Sequence, residues 1–329
     1  MIFKNILLHN VAQLVELEDG GYQMLRTPLS VEENLYGKTQ NRGPVGVELR
    51  FVINSGTARI KIKSGESYVF YGGIQAGWQT SKFAPSDEPR WIELSLDTER
   101  MPAFERITAE NNLPYSPKMV RILFSGAGPV IYDVEGDISL PTDDMLPEKT
   151  LLVYGSSITA GSLSLLPMNT WASQLAQNLS IDCMNKGYAG SCHVEPEMID
   201  YLSTLDFDFA VVSMGANMRD FTNEEYEKRA ANCINTLCGA HPDRKFIFID
   251  SSYQASDLYE GESGKLAQYR KILSRLVADS GFANAKYVSG LDLMSGSWGL
   301  TGDLVHPNIK GVNAIANNIT PIAKEWFDI

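Results

Sequence analysis

Two patterns of apolar and polar positions divide this chain. In the first part, GVELRFVIN (46–54) and TARIKIK (57–63) alternate apolar and polar residues with a period of two, the signature of strands with one buried face. Ser55-Gly56 separates the two runs and predicts a turn between them. SYVFYGGI (67–74), RWIELSL (90–96), VRILFSG (120–126) and VIYDVEG (130–136) follow, with Gly, Pro, Asp and Ser clustered between them. No long amphipathic helix is evident among them, so the spacing predicts a β-sandwich of jelly-roll type over residues 1–146.

PTDDMLPEK (141–149) is polar, with prolines near both ends, and makes a linker. Beyond it the grammar changes. TLLVYG (150–155), IDCMNKG (181–187), FDFAVVSMG (207–215), KFIFIDSS (245–252) and AKYVSG (285–290) contain short apolar runs, as strands covered on both faces require. Helical stretches at 168–179, 195–204, 264–280 and 311–327 alternate with them, and Thr222-x-x-Glu225 forms a capping box for a helix ending at Gly239. Five strands alternating with helices predict an α/β domain over 147–329 with a parallel sheet.

Composition sharpens this division. Of 329 residues, 44% are hydrophobic and 21% charged, enough for each part to bury its own core. A net charge of −12 argues against nucleic acid and against docking on an anionic membrane. The N-terminal apolar run is broken by His9, Asn10 and Gln13 and no small-residue cleavage site follows, so no secretory signal is read. No apolar run reaches membrane-spanning length. The expected location is cytoplasmic, and Cys183, Cys192, Cys233 and Cys238 are expected as reduced, buried thiols.

Parallel sheets bind ligands beyond the carboxyl ends of their strands. After the first strand stands Gly155-Ser156-Ser157-Ile158-Thr159. The second gives Asn185-x-Gly187-x-x-Gly190, the third Gly215-x-Asn217, and the last loop Asp303-x-x-His306-Pro307. Alone, each has an ordinary reading as a cap or a solvated turn. Together they supply a nucleophile, a base, a carboxylate to orient the base, and oxyanion donors, the parts an ester hydrolase needs.

The order GSSIT, NKGYAG, GAN and DLVHP resembles the four blocks of the SGNH, or GDSL, hydrolase superfamily, within a bacterial branch that carries an N-terminal β-sandwich. The resemblance implies a flavodoxin-like α/β/α sandwich. It implies Ser157 as nucleophile, Asp303 and His306 as its partners, Gly190 and Asn217 as oxyanion donors, and neither metal nor cofactor. Its expected substrate is a small-molecule ester or acylated carbohydrate, with acetyl as the acyl group. A lipase-like or thioester hydrolase, and a non-catalytic carbohydrate-binding protein on a hydrolase scaffold, are the competing readings.

Two positions depart from that pattern: Ser156 replaces the usual acid before the nucleophile, and Met218 the usual Asp after Asn217. His193, three residues past Gly190, is a candidate for lining the pocket beside its ordinary reading as a loop histidine. Cys192-His193-x-Glu195 is a poor metal site because adjacent residues rarely converge on one ion. Glu195 and Glu197 suit the start of a helix. Tyr68, Tyr71, Trp78 and Trp91 suggest a sugar-stacking surface, although aromatic strand residues are more often core.

Overall fold

The computed structural model describes residues 1–77 and 81–329 and divides into two compact units. One comprises Met1–Leu29, Thr39–Glu148 and Ser180–Met184; the other comprises Ser30–Lys38, Lys149–Leu179 and Asn185–Ile329. In the first unit the chain forms β1 (Ile2–Phe3), β2 (Ile6–His9), β3 (Gln13–Glu16) and β4 (Tyr22–Leu25). After α1 (Leu29–Glu32), which begins at its margin, come β5 (Glu48–Ser64), β6 (Ser67–Tyr71), β7 (Ile74–Gln75), β8 (Lys82–Phe83) and β9 (Ser86–Ser95). Helix α2 (Met101–Glu110), β10 (Met119–Phe124) and β11 (Val130–Ser139) complete it.

These strands pair antiparallel in the order β3-β4-β11-β5-β10-β6-β7, with β2 and β9 also on β5, and build a β-sandwich. Strand β5 organises it. Its first part pairs with β10 (Leu49↔Ile122) and its second with β9 (Ile60↔Ile92), while β11 follows both. The expected turn at Ser55-Gly56 is therefore absent. Gly56 takes φ +65° where the β11 register shifts on either side of Asp137↔Ser55. The glycine marks a bulge that lets one strand serve two sets of neighbours.

Alternation places Leu49, Phe51, Ile60 and Ile62 of β5 in the core with Val69, Ile92 and Ile122. A second departure from the sequence expectation is α2. Its apolar stripe is thin: Met101 is buried and Phe104 packs on the core, but Ile107 is exposed, so periodicity alone signals it weakly. Tyr68 and Tyr71 are buried, and Tyr71 stacks on Phe104 at 5.7 Å. Trp91 lies under the Arg59 guanidinium at 4.7 Å, and Trp78 falls outside the described residues. The stacking surface imagined for these aromatics is not formed by Tyr68 and Tyr71, which are core.

The second sheet is five-stranded and parallel, formed by β12 (Thr150–Gly155), β13 (Asp182–Gly187), β14 (Phe209–Ser213), β15 (Lys245–Ile249) and β16 (Ala285–Val288) in the order β13-β12-β14-β15-β16. All of it lies within the second unit except residues 182–184 of β13, which belong to the first. Around it run α3 (Ser157–Ala160), α4 (Trp171–Leu179), α5 (Pro196–Leu202), α6 (Asn223–Ala240), α7 (Ala255–Tyr259), α8 (Lys265–Asp279), α9 (Gly290–Leu293) and α10 (Ile309–Phe327). Val153, Val211, Ile247 and Phe248 are fully buried, which is why these strands read as continuous apolar runs. Thr222 caps α6 by accepting from Glu225 N–H at 3.1 Å. The order is that of a flavodoxin-like sandwich, whose chain reverses direction across the sheet between its first and third strands. Among the described residues no helix is long and apolar enough to cross a membrane.

Candidate active site

Strand β12 ends at Gly155 and turns at once into α3. A Cβ at 155 would stand 2.3 Å from Thr159 Oγ1 and 3.0 Å from the Ser213 carbonyl, so the turn closes only around glycine. Ser156 then caps α3, its Oγ accepting from Ile158 N–H at 3.3 Å. Ser157 follows as the first helical residue and is 8% exposed. Its own N–H has no acceptor among the described residues, as expected at a helix start.

The end of β13 is tied to this turn. Asn185 Nδ2 donates to the Thr159 carbonyl and its Oδ1 accepts from Gly187 N–H, both at 2.8 Å. Tyr188 N–H donates to the Gly155 carbonyl, also at 2.8 Å. The loop then reaches Gly190, whose φ of +67° lies in the left-handed region that glycine enters without strain. The Gly190 N–H likewise lacks an acceptor among the described residues. Beyond β14, Asn217 Oδ1 accepts from Cys192 N–H at 3.2 Å. A backbone N–H can only donate, so the amide oxygen is the anchored end and the Nδ2 group remains a donor.

The loop between β16 and α10 supplies the rest. Leu300 pairs with Pro307, Thr301 N–H donates to the His306 carbonyl at 2.9 Å, and Leu304 is held at φ +59°. A left-handed leucine costs on the order of 1 kcal/mol, which the closed turn sustains. Asn308 braces the loop from the helix side. Its Nδ2 donates to the carbonyls of Trp298 and Leu300 at 3.0 and 2.9 Å while its Oδ1 caps α10.

Within this turn Asp303 Oδ1 accepts from the N–H groups of Val305 and His306, both at 2.9 Å, and from Thr301 Oγ1 at 2.8 Å. Partial burial opposes its charge, but the hydrogen bonds from His306, Val305 and Thr301 hold the carboxyl well below the usual range. Asp303 Oδ2 lies 2.7 Å from His306 Nδ1, and His306 Nε2 lies 2.8 Å from Ser157 Oγ. An ionised carboxylate only accepts, so Nδ1 carries the proton and the Nε2 lone pair faces the serine hydroxyl. Residues 149 positions apart thus join one hydrogen-bonded chain.

Ser157, Gly190, Asn217, Arg219, Asp303 and His306 all line one cleft of about 470 Å³. His193 stands outside that lining. Its ring stacks on Tyr36 at 4.6 Å, meets Phe221 edge-on at 5.1 Å, and bonds to the Asn217 backbone. Burial lowers the His193 pKa. Glu195 accepts from Tyr36 N–H at 3.1 Å and precedes α5, which Glu197 enters. Sequence reasoning missed Tyr36, Thr301 and Arg219. For Asn308 a signal was present, since an Asn directly before a helix is a preferred cap.

The GDSL-like lipase/acylhydrolase family matches residues 148–324. No curated protein matches the chain in sequence. Among solved structures, a salicylyl-acyltransferase from a tetracycline biosynthetic pathway aligns with TM-score 0.77 at 16% identity, over 96% of this chain and 93% of its own. A family two carbohydrate esterase from Cellvibrio japonicus aligns with TM-score 0.63 at 13% identity, over 98% and 96%. A family two carbohydrate esterase from Clostridium thermocellum, in complex with cellohexaose, gives TM-score 0.63 at 14% identity, over 98% and 99%. At such identities the likeness establishes the fold. The family match, which extends from β12 into α10 and covers more than half of the chain, makes this protein a member of the GDSL-like lipase/acylhydrolase family.

Proposed function

We propose that this acylhydrolase is a serine esterase that removes short acyl groups, acetyl among them, from carbohydrate through an acyl-enzyme. One observation carries the reading: His306 is hydrogen-bonded to Ser157 Oγ on one side and to Asp303 on the other, at 2.8 and 2.7 Å. In the cycle His306 Nε2 takes the Ser157 proton as Oγ attacks the ester carbonyl. The tetrahedral oxyanion is held by the N–H groups of Ser157 and Gly190 and by Asn217 Nδ2. Neither backbone N–H has an acceptor among the described residues, which leaves both free to donate to an oxyanion in the cleft.

Asp303 keeps the tautomer and balances the imidazolium charge. His306 then hands the proton to the leaving alcohol, and water repeats the sequence to release the acid. His193, tied to the Asn217 backbone, serves as a positioning residue for that donor. The reaction belongs to residues 147–329, with 1–146 as an accessory domain. The carbohydrate part rests on fold likeness to carbohydrate esterases, one of them bound to cellohexaose, and on the mixed polar lining of the cleft.

The test is Ser157→Ala, assayed on p-nitrophenyl acetate and on acetylated sugars. Turnover is expected to fall by about 10⁴-fold or more. Wild-type rates in the purified variant would sink the assignment, and a preference of the parent for long acyl chains would sink the acetyl reading.

A further inference from the structure

Arg219 lines the cleft together with Ser157, Gly190 and Asn217. It is exposed and has no hydrogen bond or ion pair among the described residues. Every other arginine of the chain is held by a partner. In a protein with 40 acidic residues against 28 basic ones, an arginine left unmatched at this place is unusual. The other charged groups in the lining are Asp303 and His306, and Asp303 is engaged by Thr301, Val305 and His306. The uncommitted charge of the cleft is therefore a guanidinium, two residues past the donor Asn217.

We infer that Arg219 selects esters carrying a carboxylate or another anionic group close to the scissile bond. The inference rests on the esterase reading above and narrows its substrate class from acyl esters to anionic ones. A guanidinium offers a planar pair of donors that matches a carboxylate or phosphate bidentately. In a chain of net charge −12 such a substrate is repelled at long range, so a local cation is what lets it dwell in the cleft. The anion can sit on the acyl side or on the alcohol side of the ester.

Two substrate pairs separate these sources. Mono-p-nitrophenyl succinate against p-nitrophenyl acetate places the charge on the acyl group. The pair 3-acetoxybenzoate and phenyl acetate places it on the alcohol. For each pair the ratio of kcat/KM, anionic over neutral, is measured in the parent and in Arg219→Ala, Arg219→Lys and Arg219→Glu.

In at least one pair the ratio is expected to fall about 10- to 100-fold in Arg219→Ala, the usual weight of a hydrogen bond to a charged group. Arg219→Lys should recover part of it and Arg219→Glu should lower it further. A ratio unchanged in both pairs overturns the inference while leaving the esterase reading intact. Should the parent hydrolyse none of the four esters, the esterase reading falls instead. Calorimetric titration with succinate then decides the charge question. Binding lost in Arg219→Ala supports the inference, and binding absent from the parent or equal in both overturns it.

Discussion

Each unit of the molecule contains a histidine beside an aspartate, and the two arrangements differ in almost every physical respect. In the β unit, His9 lies 3.7 Å from Asp182, with the side chains of both about one-tenth exposed. Arg50 meets Asp182 at 2.5 Å and Glu48 at 2.9 Å, and Arg121 meets Glu48 at 2.6 Å. The His9 ring bonds through Nε2 to the Cys183 carbonyl at 2.8 Å. Burial and the neighbouring Arg50 lower its pKa, so at neutral pH the ring is uncharged with its proton on Nε2. In the α/β unit, Asp303 holds the proton of His306 on the opposite nitrogen, Nδ1.

That exchange of tautomer separates the histidine of a closed cluster from the one we propose as the general base. His9 spends its donor on a carbonyl in a closed, charge-matched cluster, where Asp182 is satisfied by Arg50 and by Tyr115 Oη at 2.7 Å. His306 turns an open lone pair toward a hydroxyl in a solvent-accessible cleft. Proximity of His and Asp is thus not what sets the two arrangements apart. The group facing the second ring nitrogen decides it.

The sharpest way to break this comparison is to remove each ring. His306→Ala is expected to cost about 10⁴-fold or more in kcat, whereas His9→Ala should keep kcat per folded molecule and lower the unfolding temperature. Steady-state assays beside thermal melts decide it. Comparable kcat values in the two variants would collapse the distinction.

A smaller effect is expected from the carboxylate of the closed cluster. Asp182→Ala leaves Arg50 buried without its bidentate partner, and breaking such a pair costs about 3–5 kcal/mol. Chemical denaturation should register that loss with little change in kcat. A variant as stable as the parent would show that the cluster does not hold the β unit together.

The smallest effect concerns the pH response, whose sign differs between Glu48 of the β unit and Asp250 of the α/β unit. Burial disfavours the charge of Glu48, but Arg121 and Arg50 pull its carboxyl down to about 2. Its stabilisation is complete above the unfolded carboxylate range and is lost as pH falls from about 4.5 toward 2. Asp250, buried at the end of β15, is pushed up to about 6 by desolvation. Its folded form holds a proton that the unfolded chain has released, so stability falls as pH rises from about 4 to 6. Relative to Asp250→Asn, the parent should therefore lose on the order of 2–3 kcal/mol across that window. Denaturation of both proteins at several pH values measures it, and parallel curves would reject the assignment.

How much of this was legible beforehand differs between the units for a physical reason. The strands of the parallel sheet are buried on both faces, so Leu151, Val153, Val211 and Ile247 announce themselves as apolar runs. In the β unit, Ser55-Gly56 carried the wrong message, because a left-handed glycine serves a bulge as well as it serves a hairpin. Helix α2 was missed because a helix resting on one side of a sheet needs only a thin apolar stripe. Tyr36 left no trace, since its stack on His193 joins residues far apart along the chain.

By itself, the order of residues determined the architecture of the α/β unit and named the candidate parts of its site, because apolar runs and strand-end turns are local properties. Ser157, Gly190, Asn217, Asp303 and His306 follow strand ends or precede the last helix, where a doubly wound sheet gathers its loops. Only the tertiary structure decided which nitrogen of His306 faces Ser157, which end of Asn217 is free, and that Arg219 stands unmatched in the cleft. Those are matters of hydrogen-bond direction and of the absence of a partner, and both depend on what the fold brings near.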